Sequence, residues 1–344
     1  MSWRPAVYLT LLLFGICFPS FGRLEAASPT QVKVGYSAVD VSYLPLKIAE
    51  EAKLFEKHGL DVKTVLVRGG STMMNALLAG EVTAAFIGGT PVILARAVGT
   101  DIKTVLGLGN TLIYQIFVGP HLKGKVTRLE ELKGKRIAIS TRGAESESVI
   151  LQVLKKYRLN PRDFIFLNIG TSGERLAALR VGSADATALP SPQHIRAIKE
   201  GFPVILDVTK EQLSWFHTGV AMKESWLRSE SKLAEAMVRS FIEAVYYGWK
   251  NKEATKKVLG KYIRSDDDQV LEQGYLDFVN YQPREFRPSP AGIQTAIDEL
   301  SEVNPKVKGV KASEVIDLSI IEQLQRSGFI GEMKKLYPGT MEVK

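Results

Sequence analysis

From Val32 onward, apolar runs of strand length alternate with amphipathic stretches of helix length, and this alternation restricts the fold more than any other feature. Residues 32–36 read as a strand. After it, Leu44, Ile48, Ala52 and Phe55 share one helical face, opposite Glu50, Glu51, Glu56 and Lys57, and Gly59 closes the helix. Strands over 62–67 and 83–87 follow, with helices over 71–78 and 91–98. A second series starts at Arg136: strand 136–139, helix 145–157, strand 164–167, helix 173–181 and strand 184–188. Strands joined by crossover helices make mostly parallel α/β sheets.

The two series superpose at an offset of 102 residues, which pairs Ala76-Leu77 with Ala178-Leu179, Gly80 with Gly182 and Ala84 with Ala186. An Ala-Leu-x-x-Gly ending alone is a common helix-to-strand turn. Here agreement extends to both flanks, with Gly69-Gly70-Ser71 opposite Thr171-Ser172-Gly173 and Thr90-Pro91 near Ser191-Pro192, so the lobes read as duplicated. From Lys223 the pattern turns helical, over 233–249, 268–281, 291–303 and 315–325, with breaks at Pro283, Pro288 and Pro290. This tail has no strands to pair and is expected to pack back on the first lobe. Lobe one then comprises 30–118 plus 220–344 and lobe two 119–219, with hinges near 117–120 and 218–222.

Residues 1–27 read as a secretory signal: Arg4, an apolar run over 6–18, Pro19, and the small-residue exit Ser20-Phe21-Gly22. That run of 13 residues is shorter than the roughly 20 a spanning helix needs. The single cysteine, Cys17, falls inside it, behind an Ile16 that does not suit lipidation. The exported chain therefore has no cysteine, which excludes disulfides and thiolate metal sites. The four histidines are too scattered for a local zinc motif, so neither metal nor cofactor is expected. The net charge of +8 falls only to +7 when Arg4, Arg23 and Glu25 leave with the leader. Its Lys and Arg are dispersed among acids without interleaved aromatics, which argues against nucleic acid.

Several segments resemble a known family. The run Tyr43-Leu44-Pro45-Leu46-Lys47-Ile48-Ala49-Glu50, followed by Leu54-Phe55-Glu56-Lys57-His58-Gly59-Leu60-Asp61-Val62, is similar to the opening of the solute-binding proteins of nitrate, sulfonate, taurine and thiamine-precursor ABC importers. Further matches are Gly70-Ser71, the stretch 76–82, Gly88-Gly89-Thr90-Pro91, 132–138 and 179–186, in order over roughly residues 30 to 260. The resemblance implies a two-lobed type II periplasmic-binding-protein fold. It also implies a periplasmic, monomeric protein that closes on a small-molecule ligand and is read by a membrane ABC permease. Relatives on this fold with chemistry include a pyrimidine synthase that uses a cysteine-rich motif, and a dehydratase. The lack of cysteine and the leader oppose those readings, and no catalytic elbow, phosphate loop or His-Glu-x-x-His occurs. Gly107-Leu108-Gly109 lacks a third glycine and reads as a turn. A sensory module that presents ligand to a receptor is a further alternative.

In open parallel sheets, ligands sit beyond the carboxyl ends of the strands, where helix N-termini point. Five loops converge there: 37–43, 69–72 and 88–91 from lobe one, and 140–145 and 170–173 from lobe two. Their candidate ligand-binding residues are Ser37, Asp40, Tyr43, Gly70, Ser71, Thr72, Gly89, Thr90, Thr141, Arg142, Glu145, Thr171 and Ser172, with Pro190 and His217 beside them. Helix dipoles and free N–H groups suit an anion, and Arg142 is either a bidentate partner for it or a solvated surface charge. Each Ser or Thr taken singly reads as a helix cap. Asp40 and Glu145 instead suit an amine on the ligand. Trp215, Phe216 and His217 are either a cleft wall or the edge of a core, and Tyr43 and Tyr114 share that ambiguity.

Overall fold

The computed structural model describes residues 30–211 and 213–339, together with Met1 and Trp3. The leader expected over 1–27, Cys17 included, otherwise lies outside them. The chain begins with β1 (Thr30–Tyr36), α1 (Leu44–Glu51), α2 (Leu54–Lys57), β2 (Leu60–Leu66), α3 (Gly70–Ala79), β3 (Ala84–Ile87), α4 (Gly89–Ala97) and β4 (Ile102–Gly109). It crosses over to build β5 (Tyr114–Val118), β6 (Arg136–Ile139), α5 (Glu145–Lys156), β7 (Ile165–Asn168), α6 (Ser172–Arg180), β8 (Ala186–Pro190), α7 (Gln193–Lys199) and β9 (Val204–Asp207). β10 (Thr218–Lys223) then returns to the first sheet.

The two sheets share one topology, β2-β1-β3-β10-β4 and β7-β6-β8-β5-β9. In each, three strands pair in parallel and the fourth in order runs antiparallel to both of its neighbours. The duplication read from the sequence is visible here. α3 and α6 start at Gly70 and Ser172, and β3 and β8 at Ala84 and Ala186, each pair 102 residues apart.

The lobe boundaries differ from the expected ones. β5 pairs with β8 and β9, so residues 114–118 belong to the second sheet and the first crossover lies between Gly109 and Tyr114. Residues 218–222, expected as a hinge, are buried in β10 between β3 and β4, and the second crossover runs through 208–217. Both inserted strands are short apolar runs that pair with strands distant in sequence, which is why periodicity did not assign them. Gly107-Leu108-Gly109 is the end of β4 and not a turn. Gly107 is small because the Arg287 carbonyl oxygen lies 2.5 Å from the point a Cβ would occupy.

The tail folds as α8 (Glu224–Ser229), α9 (Ser231–Lys250), α10 (Lys252–Ile263), α11 (Asp268–Tyr281), α12 (Pro290–Val303), α13 (Ala312–Val315), α14 (Ser319–Arg326) and α15 (Phe329–Leu336). α9 buries Met237, Phe241, Val245 and Tyr246 against lobe one, and the Phe241 ring stands edge-on to Phe86 at 4.8 Å and to Phe55 at 5.7 Å. A fully buried Phe of this kind contributes about 3–5 kcal/mol. α12 instead packs on α4 and reaches lobe two through Lys155–Glu302, 2.7 Å. The helix expected over 315–325 is interrupted at Ile316, which bridges to Thr104 of β4. Among the described residues no helix is long and apolar enough to cross a membrane.

Candidate functional site

Both sheets aim their strand ends and helix starts at one narrow cavity between the lobes. The first residues of α3 and α5 line it, as does the residue before α4, and α6 contributes Thr171 and Ser172. α3, α4 and α5 are preceded by Gly69, Gly88 and Ala144, and none has a side-chain cap. The first-turn N–H groups of α3 and α4 therefore keep the positive ends of two dipoles unneutralised, whereas α5 carries Glu145 and Glu147 in its first turn. Only α6 is capped, by Thr171 with Glu174 in a reciprocal box, so the cap reading holds for Thr171 alone among these starts.

Arg175 stands beneath the α6 start, 4% exposed and lining the cavity. Its guanidinium donates to the Gly170 carbonyl at 2.9 Å, the Thr187 hydroxyl at 3.2 Å and the Ala188 carbonyl at 3.3 Å. Among the described residues no carboxylate comes within ion-pair distance of it. A buried cation with only neutral acceptors is costly, and burial holds its pKa below the usual arginine range. Sequence reasoning passed over Arg175. The signal was there: Leu176 and Leu179, one and four residues on, place it on the buried face of α6.

Two buried carboxylates face this cation's cavity from other elements. Asp40 accepts from the Ser42 N–H at 2.9 Å and from the Ser42 hydroxyl, capping the 3-10 turn Val41–Tyr43. Glu145, at the start of α5, accepts from Trp215 Nε1 at 2.9 Å and faces His217 Nδ1 at 2.6 Å. Burial pushes both carboxyls above their ordinary values, against the pull of His217. Burial disfavours the His217 imidazolium, yet Glu145 and Asp40 outweigh it and the net shift is upward. Ser37 Oγ and Tyr43 OH, 2.9 Å apart, complete the lobe-one wall.

Of the expected binding residues, Ser37, Asp40, Tyr43, Gly70, Glu145, Thr171, Ser172 and Pro190 line the cavity. His217 stands behind Glu145. Ser71, Thr72, Gly89, Thr90, Thr141 and Arg142 do not line it; Gly88, Pro91 and Ser140, their neighbours in the same loops, do. Several of the expected hydroxyls join the lobes directly: Ser71 donates to the Arg142 carbonyl at 2.6 Å, Thr90 meets Ser148 at 2.9 Å, and Ser172 donates to the Val39 carbonyl at 3.2 Å. The Arg142 side chain points away, pairs with Glu147 and lies over the Phe166 ring. The Val41 N–H also donates across to the Ser191 carbonyl at 3.1 Å. Room for only about 30 Å³ is left in the cavity, one or two waters, so the lobes stand closed. Among the described residues no group of three or more metal-ligating side chains occurs.

The family model that matches residues 25–263 is that of the NMT1-like family. The chain belongs to the NMT1-like family. Solved structures similar to this NMT1-like chain are periplasmic binding proteins in fold. The alkanesulfonate-binding protein SsuA from Xanthomonas axonopodis, bound to MOPS, has a TM-score of 0.69 at 21% identity, covering 84% of this chain and 98% of its own. The nitrate-binding protein NrtA from Synechocystis has 0.68 at 18%, covering 92% and 90%. A Bordetella bronchiseptica structure reaches 0.78 at 19%, covering 90% and 98%. A Bacillus subtilis protein named for binding aliphatic sulfonates is 25% identical over 182 residues, 52% of this chain. This NMT1-like chain thus spans about half, 53%, of the length of that curated relative.

Proposed function

We propose that this chain is an exported solute-binding protein that captures a small anion between its lobes and delivers it to an ABC importer. The observation that carries the reading is Arg175: a buried guanidinium, held only by neutral acceptors, opening onto a cavity ringed by uncapped helix starts. An anion there gains charge-assisted hydrogen bonds and offsets the desolvation of the cation. The sulfonate and nitrate ligands in the names of the relatives are of this charge class. Asp40 of lobe one and Glu145 at the start of α5 favour a ligand that also carries a hydrogen-bond donor, as an amino-sulfonate or an aminopyrimidine does. Since the closed cavity is small, capture begins with lobe opening, and a ligand that bridges both lobes shifts the population back toward closure.

The test is a thermal-shift screen of residues 28–344 against taurine, ethanesulfonate, MOPS, nitrate, aromatic acids and aminopyrimidines. A true ligand at 100 times its dissociation constant stabilises by about 2.7 kcal/mol. A shift that is present in the wild type and lost in Arg175→Met supports the reading. A screen without any shift, or a product formed at catalytic protein levels, overturns it.

A further inference from the structure

The closed cleft is not the roomiest space between the lobes. A second cavity of about 370 Å³ lies further along the same helix, and its two walls belong to different lobes. α5 presents Glu145 and Ser146 to the cleft and then Ser148, Leu151 and Lys155 to this cavity. The facing wall is the α12 segment Glu299, Leu300, Glu302 and Val303, on a helix that packs against α4 of lobe one. Between them stands Trp215 of the second crossover, whose ring lines the cavity while its Nε1 donates to Glu145 at 2.9 Å. α12 also clamps that crossover, since a Cβ at Gly292 would lie 2.2 Å from the Trp215 carbonyl carbon. Any change in the angle between the lobes therefore changes the width of this cavity.

Its lining is mostly aliphatic and aromatic, with one half-buried carboxylate that makes no hydrogen bond to the described residues, Glu299. Lys155 is paired to Glu302 at 2.7 Å and Arg158 is exposed at the rim, so Glu299 is the carboxylate inside without a direct ion pair among the described residues. We propose that this cavity is a second ligand site that takes an amphipathic organic ammonium, its cationic head on Glu299 and its apolar body against Leu300, Leu151 and Trp215, and that filling it favours the closed lobes. Burial, with the acids Glu302 and Asp298 nearby and Lys155 opposing, raises the Glu299 carboxyl to about 7, consistent with a site that lacks its cation. Coupling is reciprocal by linkage: whatever holds α5 and α12 at this spacing also raises affinity in the cleft.

The experiment uses residues 28–344 with spin labels at Thr72→Cys and Asn168→Cys, both exposed and on opposite lobes, in a chain whose only native cysteine lies in the leader. Hexylammonium and hexanoate are titrated at pH 8, with binding read by calorimetry and lobe separation by the inter-label distance. Hexylammonium is expected to bind, to narrow the distance distribution toward the short end, and to weaken at least fivefold in Glu299→Gln. Leu300→Trp, which fills the cavity, should abolish binding and by itself shorten the mean distance. Hexanoate binding as tightly as hexylammonium, no binding at millimolar concentration, or full binding in a folded Leu300→Trp chain would each overturn the site. Binding without any change in distance would overturn the coupling.

Discussion

His217 Nδ1 and Glu145 Oε1 lie 2.6 Å apart, one on the crossover that enters β10 and the other on the first residue of α5, so a single buried pair ties the hinge to both lobes. The folded state favours the imidazolium. Its contribution is complete below the ordinary histidine value of 6.5 and is lost as pH rises through the higher folded value. The difference in unfolding free energy between the wild type and His217→Asn should be largest near pH 6 and shrink toward pH 9. Chemical denaturation at a series of pH values measures it, and a pH-independent difference would contradict the pairing.

Arg175 and Arg142 should separate cleanly. Arg175→Met removes the buried guanidinium and should weaken a bound anion about ten- to a hundredfold, the worth of a charged hydrogen bond. Its melting temperature should hold or rise, because replacing a buried charge with an apolar chain is often neutral or stabilising. Arg142 is 58% exposed and paired to Glu147, so Arg142→Ala should change affinity by less than about fivefold. Calorimetry with any ligand found in the screen decides both.

Glycines at two helix positions should respond with opposite signs. Gly292→Ala forces a Cβ into the Trp215 backbone and should destabilise by about 1–3 kcal/mol while altering the lobe angle. Gly331, inside α15, has nothing within 4 Å of its missing Cβ, and Gly331→Ala should stabilise by about 0.5–1 kcal/mol. Urea midpoints of the two variants, compared at equal slope, provide the check.

Acid stability should be governed in part by Glu243. Its buried carboxylate is bonded by Lys57, by His58 at 2.8 Å and by Tyr337 at 2.7 Å, and these partners outweigh the burial that opposes its charge, holding it at about 2. That contribution is present above the ordinary 4.5 and is lost as pH falls toward 2. Glu243→Gln should lower stability at pH 7 and flatten its acid dependence, as read by circular dichroism during acid titration.

The fold was legible because strand and helix periods leave separate marks, and the duplication showed as a fixed offset. What periodicity did not place were β4, β5, β9 and β10, the strands that complete each sheet around the antiparallel position. The binding loops were legible for the same reason, since strand ends and helix starts define them. Which residue of a loop turns inward was not. Gly88 rather than Gly89, Pro91 rather than Thr90, and Ser140 rather than Thr141 reach the cavity, because neighbouring residues in a loop or a first helical turn point in different directions that the sequence pattern does not rank. Arg175 escaped for another reason: a charged residue in a helix is read as solvent-facing unless its position is counted against Leu176 and Leu179.

The interleaving of strands also dictates an order of assembly. β4 hydrogen-bonds within its sheet only to β10, which the ribosome supplies after the whole of 114–207. The second lobe's sheet is built from one uninterrupted stretch and can close on itself, whereas the first must wait with its edge strand unpaired. A nascent chain released before residue 218 would therefore carry one finished lobe and one that cannot finish.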